Sequence, residues 1–356
     1  LAHFLEHYLL EHSIYGNVLK LMSDEYISGN GMTSSRYTNY YFSTVHDFEK
    51  LFVIFLNVVN NPIFNQDYVN ETIKPIISEI NRKNDDKYYK FYKRRNEAMF
   101  NTLFSDNLGS IEDIKKVNVN DLKEFYDAFY QPNNQIIFIT GNFNDNIIDL
   151  IKDTYSKFNK DNKKVEKIQV IENDNVLEKH VKYQSDIKHT FFNIGYKINI
   201  SNLSSEEKNK LDYYLEFVIN NTFNEKSIFF EELYKNKILN FSINTSYYVV
   251  SKDYILLSLE GYSDNNEKAI SLFLDKMKDL DFDKDKFIKW KNQTILYFIN
   301  LEEKNTWVSD NYINNVLKYD LYKADDIKFI KNLNIDECKN MVNNVNFDNY
   351  TIIENN

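Results

Sequence analysis

Two periods govern the apolar positions of this chain. Residues 2–13 place Phe4, Leu5, Tyr8 and Leu9 on one face of a helix. From Met32 to Val45 the pattern shortens to strand-like alternation, ending in Thr38-Asn39-Tyr40-Tyr41-Phe42-Ser43. Asp47 is placed to cap a helix that Pro62 stops. A long helical stretch follows over about 66–100, which Pro75 is expected to interrupt. Next come a helix over 119–130, then Pro132 and an apolar strand over 135–140. The second half repeats the style, with a strand at 190–197, helices at 205–224 and 227–237, strands at 239–249 and 253–261, and further helices.

Residues 159–176 are polar and charge-rich without apolar periodicity, which marks an inter-domain linker between a domain at 1–158 and another at 177–356. The 356 residues suffice for two cores of ordinary size. A net charge of -10 argues against nucleic acid as a partner, since phosphate binding needs a basic surface. The basic, aromatic run 87–95 (KYYKFYKRR) reads as the solvated face of a helix. The longest apolar run, 51–59, is too short to cross a bilayer and reads as a core helix. Cys338 is the only cysteine, which excludes a disulfide framework and a cysteine-type metal site.

The chemistry concentrates at the start. In His3-Phe4-Leu5-Glu6-His7 the two imidazoles stand at i and i+4, one turn apart on one helix face, so both can bind one ion. Neutral imidazole suits zinc, and a catalytic zinc site adds a third protein ligand and keeps one position open. Glu6 shares that face and is placed to act as general base. His12 falls on roughly the opposite side of the helix, and with His46, His180 and His189 it reads as an ordinary surface histidine.

The order H-x-x-E-H resembles the inverzincins, the insulinase and pitrilysin peptidases. Further segments carry the likeness: Ala2-His-Phe-Leu-Glu-His7, Gly29-Asn30-Gly31-Met32-Thr33-Ser34-Ser35, Leu108-Gly109-Ser110 and Tyr130-Gln131-Pro132. The resemblance implies a third zinc ligand, Glu79, about seventy residues past His7, and an edge strand at Asn30, Gly31, Met32 and Thr33 to which an extended peptide adds. It also implies a supporting Glu two turns before Glu79; Thr72 stands there, with Glu71 one residue away. The fold implied is α+β, two similar domains, each a sheet with helices packed on one side: a duplicated insulinase-like (LuxS/MPP-like) fold. The activity implied is zinc-dependent endopeptidase cleavage of unfolded peptides inside a chamber. The alternatives are a non-catalytic chamber or assembly subunit and an organellar presequence-processing subunit.

Internal repetition supports the duplicated fold. Leu211-Asp-Tyr-Tyr-Leu-Glu-Phe217 aligns with Leu1-Ala-His-Phe-Leu-Glu-His7, placing Tyr213, Phe217 and Tyr297 where the first copy has His3, His7 and Glu79. The second copy is therefore expected to have lost a polar site and filled it with aromatics. Family members present an Arg and a Tyr, seven apart, to clamp the substrate backbone; the matching positions here are Tyr234 and Phe241. The resemblance thus points to a zinc-bearing chain that pairs with a homologous zinc-free partner, or to a homodimer using other donors such as Lys235 or Asn240. The sequence opens inside the expected catalytic helix, so its natural start and a preceding strand are expected to be missing. A cytoplasmic location is the remaining expectation.

Overall fold

The structure is a computed structural model that describes residues 1–103, 108–158, 163–166, 171–321 and 325–355. It forms two compact units, Leu1–Asp86 with Ser105–Gln169, and Lys87–Phe104 with Val170–Asn356. The linker expected at 159–176 lies in large part outside the described residues.

The first unit runs α1 (Ala2–Glu11), α2 (Val18–Asp24), β1 (Ser28–Thr33), β2 (Thr38–Ser43), α3 (Phe48–Asn60) and α4 (Gln66–Asp85). Beyond α5 (Lys87–Met99), which belongs to the second unit, it continues with α6 (Ile111–Ile114), α7 (Val119–Phe129) and α8 (Ile147–Tyr155). Helix α1 is buried along most of its length, from His3 to Leu10 with only His7 partly exposed. A helix apolar on nearly every side belongs at the centre of a core, and α1 packs against α4, β1 and α2 there. Strands β1 and β2 pair antiparallel, Gly31 opposite Tyr40, as a two-stranded sheet.

The long helix does not break at Pro75. It runs through to Asp85, and the extended backbone of Asp86 separates it from α5. Buried Thr72, Ile76 and Ile80 hold α4 on the core around the proline. Their packing outweighs a backbone cost of ~3 kcal/mol. The expected strand at 135–140 is also corrected. Gln135 is extended, yet these residues belong to neither sheet. An alternating run becomes a strand only beside a partner, and in the second unit the run in the same place in the element order lies between two.

The second unit contains β3 (His180–Tyr183), β4 (Phe191–Asn199), α9 (Ser205–Phe223), α10 (Ile228–Lys235), β5 (Asn244–Ser251), β6 (Tyr254–Tyr262) and α11 (Asn266–Met277). It closes with α12 (Lys284–Glu302), α13 (Asn305–Tyr319), α14 (Asp326–Lys331), α15 (Ile335–Asn343) and β7 (Tyr350–Asn355). The element order from α9 to α15 repeats that from α1 to α7. The sheet order is β3-β7-β4-β6-β5, antiparallel except for the β3/β7 pair. Phe192, Ile194, Tyr196 and Ile198 face a core shared with α9 and α11, while Phe191, Gly195 and Lys197 face α5 and the residue after it. This second packing corrects the reading of 87–95 as a solvated face. Phe91 is buried, and the guanidinium of Arg95 donates to Asn193 Oδ1 at 3.1 Å and to Ser258 Oγ at 2.9 Å. No helix among the described residues is long and apolar enough to cross a membrane.

Candidate metal centre

One turn of α1 and one residue of α4 make the site. The i, i+4 spacing sets the His3 and His7 rings edge to face, centroids 4.8 Å apart. Their Nε2 atoms lie 3.3 and 3.6 Å from the same Glu79 oxygen, Oε2. The two helices are registered by Tyr8, whose hydroxyl donates to Ile63 O and accepts the Asn65 amide, both at 2.8 Å, at the N-cap of α4. His3, His7 and Glu79 are the one group of three or more acidic, histidine or cysteine side chains among the described residues whose ligand atoms converge, all within 4.8 Å.

The donor set fits zinc. Two neutral imidazoles and a carboxylate are a frequent catalytic zinc triad, and ligand atoms about 2.0–2.1 Å from a tetrahedral ion stand roughly 3.3–3.4 Å apart. The 3.3 and 3.6 Å separations match that edge length. With three groups crowded together, one anionic and two basic, the imidazoles split. Burial and the neighbouring His7 lower the pKa of His3. Burial also opposes the His7 imidazolium, but the hydrogen bond and charge of Glu11, with the charges of Glu6 and Glu79, outweigh it and raise His7 above its ordinary value.

Glu11 was not picked out from the sequence. Its Oε1 lies 3.3 Å from His7 Nδ1, which fixes the ring and leaves Nε2 toward Glu79. The signal was there in the i+4 spacing from His7 on the same helix. His3 Nδ1, in contrast, is buried without a hydrogen-bond partner among the described residues. Glu79 Oε1 stands 3.5 Å from Lys83 Nζ, one turn along α4.

Glu6 lies beside the triad, 7% exposed, and is held by β1. The Thr33 hydroxyl donates to Glu6 Oε2 at 2.6 Å. Gly31 passes so close that a Cβ there would stand 2.7 Å from Glu6 Oε1 and 2.8 Å from Leu10 Cδ1. Burial lifts the Glu6 carboxyl above its usual range, while Thr33 pulls it back. Asn30 and Met32 alternate with Gly31 and Thr33 and are exposed. Among the described strands β1 pairs with β2 alone, so its other edge is open.

The structure sets Glu71 apart from this cluster. It is 65% exposed, and its Oε2 lies 3.9 Å from His12 Nδ1. One residue is ~100° of helix, and because α4 continues through Pro75 nothing turns Glu71 back. His12 is no surface histidine. Its side chain is 13% exposed and its ring stacks on Tyr68 at 4.5 Å. His46, His180 and His189 are exposed. In the second unit Tyr234 and Phe241 are 56% and 51% exposed.

Comparison with known proteins shows the family. Residues 1–109 match the family profile described as Insulinase (Peptidase family M16), and residues 116–293 match the Peptidase M16 inactive domain. A Bacillus subtilis protein named as an uncharacterized zinc protease, YmfH, is 26% identical over 239 residues, 66% of this chain and 56% of that protein. A second Bacillus subtilis protein named as a zinc protease, AlbF, is 29% identical over 150 residues, 40% of this chain and 34% of that protein. The chain thus spans from a third to a little over half the length of these relatives. A solved M16-like peptidase from Alicyclobacillus acidocaldarius superposes with a TM-score of 0.86 at 19% identity, over 99% of this chain and 85% of the other. A protease from Helicobacter pylori gives 0.81 at 18% identity, over 100% and 89%. At such identities the two structures speak for the fold.

Proposed function

We propose that this chain, which belongs to the insulinase family (peptidase family M16), is a zinc-dependent endopeptidase of unfolded peptide segments. The observation that carries the reading is the convergence of His3, His7 and Glu79 beside a buried Glu6. A zinc ion held by these three residues supplies Lewis acidity toward a carbonyl and a lowered pKa for water. Glu6 takes a proton from the attacking water at Oε1, its Oε2 being occupied by Thr33, and returns it to the leaving amine. Glu11 keeps His7 in the tautomer whose Nε2 is free to bind.

The open edge of β1 receives the substrate. An extended peptide adds there through main-chain hydrogen bonds, which selects for unfolded segments over particular side chains. Gly31 N–H donates to Asn30 Oδ1 at 2.9 Å, a side chain that an incoming peptide carbonyl replaces. The absence of a side chain at Gly31 lets the peptide edge and the general base lie against each other.

The reading extends to a partner. Tyr234 and Phe241 stand at the positions where related peptidases present an Arg and a Tyr, and neither supplies a guanidinium. A homologous zinc-free chain completes the donors in a shared, enclosed chamber. The test is cleavage of an internally quenched peptide by the purified protein with and without such a partner. Turnover that a chelator abolishes and zinc restores supports the proposal. Folded, zinc-replete protein that cleaves no peptide in either setting overturns it.

A further inference from the structure

The second unit holds a cavity of about 560 Å³ at the positions that correspond in sequence to the metal centre. It lies among α9, α12 and α13, with Tyr247 of β5 on its wall. Glu216 occupies on α9 the position that Glu6 occupies on α1, and Tyr213 and Tyr297 those of His3 and Glu79. The expectation that aromatics fill this place is therefore corrected. Phe217, at the position of His7, does pack into the core against Phe287 and Trp290, but Tyr213 and Tyr297 wall a space rather than close it.

Two carboxyls line it. Asp212 and Glu216 are one turn apart on α9 and share a face. Asp212 is 9% exposed; its Oδ2 accepts the Tyr319 hydroxyl, while its Oδ1 is buried with no hydrogen-bond partner. Among the described residues no lysine or arginine forms an ion pair with either carboxyl. Lys318, also on the wall, favours the Asp212 anion only through its field. Burial raises both carboxyls, and for Glu216 burial with the adjacent Asp212 pushes it up to about 6. Buried anions are costly unless a cation meets them.

The walls indicate which cation. Tyr213, Tyr247 and Trp290 line the cavity together with the acids. Ring faces attract organic cations. The side-chain amides of Asn209, Gln293 and Asn315 line the same cavity and offer acceptors for the N–H groups of such a cation. We propose that this cavity binds an organic cation, an ammonium or guanidinium group, between Asp212 and Glu216 with Tyr213, Tyr247 and Trp290 alongside. The group arrives on a free amine or as a basic side chain of a peptide, and the chemistry of recognition is the same.

The protein reports on this site itself, because its only two tryptophans, Trp290 and Trp307, both line the cavity. The experiment titrates the full chain with agmatine and with the blocked peptide acetyl-Gly-Arg-Gly-amide, following tryptophan fluorescence, with the citrulline peptide as uncharged control. Expected is a saturable change with a dissociation constant below about 1 mM for at least one cation, none for citrulline, and no effect of a zinc chelator. Glu216→Gln weakens binding about tenfold or more, and Asp212→Asn does the same. Saturation by agmatine alone identifies a free amine, and saturation by the peptide identifies a basic side chain. No saturable change with either cation, equal binding of the citrulline peptide, or unaltered binding in folded Glu216→Gln overturns the proposal. The citrulline comparison needs no variant, so it decides even where Asp212→Asn disturbs folding.

Discussion

Thr33 Oγ1 stands 2.6 Å from Glu6 Oε2, so one hydrogen bond joins the open strand to the helix that carries the histidines. The bond favours the charged form of Glu6 against the burial that opposes it. Thr33→Val keeps the shape and removes the donor. The expected outcome is a fall in kcat of about tenfold, with zinc content unchanged, measured by steady-state kinetics and metal analysis on one preparation. Loss of zinc in step with activity would place Thr33 in metal retention instead.

Gly31 makes a sharper prediction. A methyl group there meets Glu6 Oε1 at 2.7 Å and Leu10 at 2.8 Å, closer than real contacts allow. Gly31→Ala must push Glu6 or the strand aside. Misplacing a catalytic group by about 1 Å costs on the order of 10²-fold. Peptide turnover should drop by that order, and the melting temperature should fall as well, because the methyl also crowds buried Leu10.

Glu11→Gln keeps a hydrogen-bonding group of similar size but removes the charge behind His7. Partners of this kind are worth about 10–100-fold in metal affinity. Competition with a zinc chelator of known affinity measures the effect, and a variant that binds zinc as tightly as wild type would show Glu11 to be an ordinary surface acid.

Stability in the second unit depends on Lys197. This side chain is 1% exposed, donates to Glu172 at 2.8 Å and to Met99 O at 3.0 Å, and lies 4.7 Å above the Phe100 ring. Burial resists ionisation of Glu172, but the Asn101 amide and the Lys197 ammonium outweigh it and hold its pKa down at about 2. A carboxyl depressed in the folded state contributes stability that is complete above its unfolded value of 4.5 and is lost as pH falls toward about 2. Thermal melts should therefore fall between these limits, less steeply in Glu172→Gln. Lys197→Met leaves Glu172 without its cation but with the Asn101 and Thr102 donors, at a cost of up to ~3 kcal/mol by urea denaturation.

The sequence makes some of this legible and hides the rest for identifiable reasons. His3, Glu6 and His7 are readable because covalent spacing along one helix fixes their common face. Glu79 is readable only through a family pattern, since a lone glutamate on a helix gives no sign of what it faces. Glu11 shares the helix of His7 and was within reach of the same spacing argument. Thr33 and Gly31 depend on how a strand crosses that helix, which no local period records. The break after Asp85 rather than at Pro75, and the burial of Arg95, are decided by neighbours from elsewhere in the chain. The acid-lined cavity was missed because aromatic side chains suggest filling, whereas volume is a property of the packed set.

The central claim is that metal retention and proton transfer reside in different carboxylates of one site. Its most direct test measures bound zinc and peptide turnover side by side in Glu6→Gln and Glu79→Gln, with the zinc-free partner supplied. Glu6→Gln should retain about one zinc per chain, having lost no ligand, and lose nearly all turnover, because an amide cannot accept the proton. Glu79→Gln should lose zinc, and with it activity. Equal loss of metal in both variants, or full turnover in Glu6→Gln, would contradict the account.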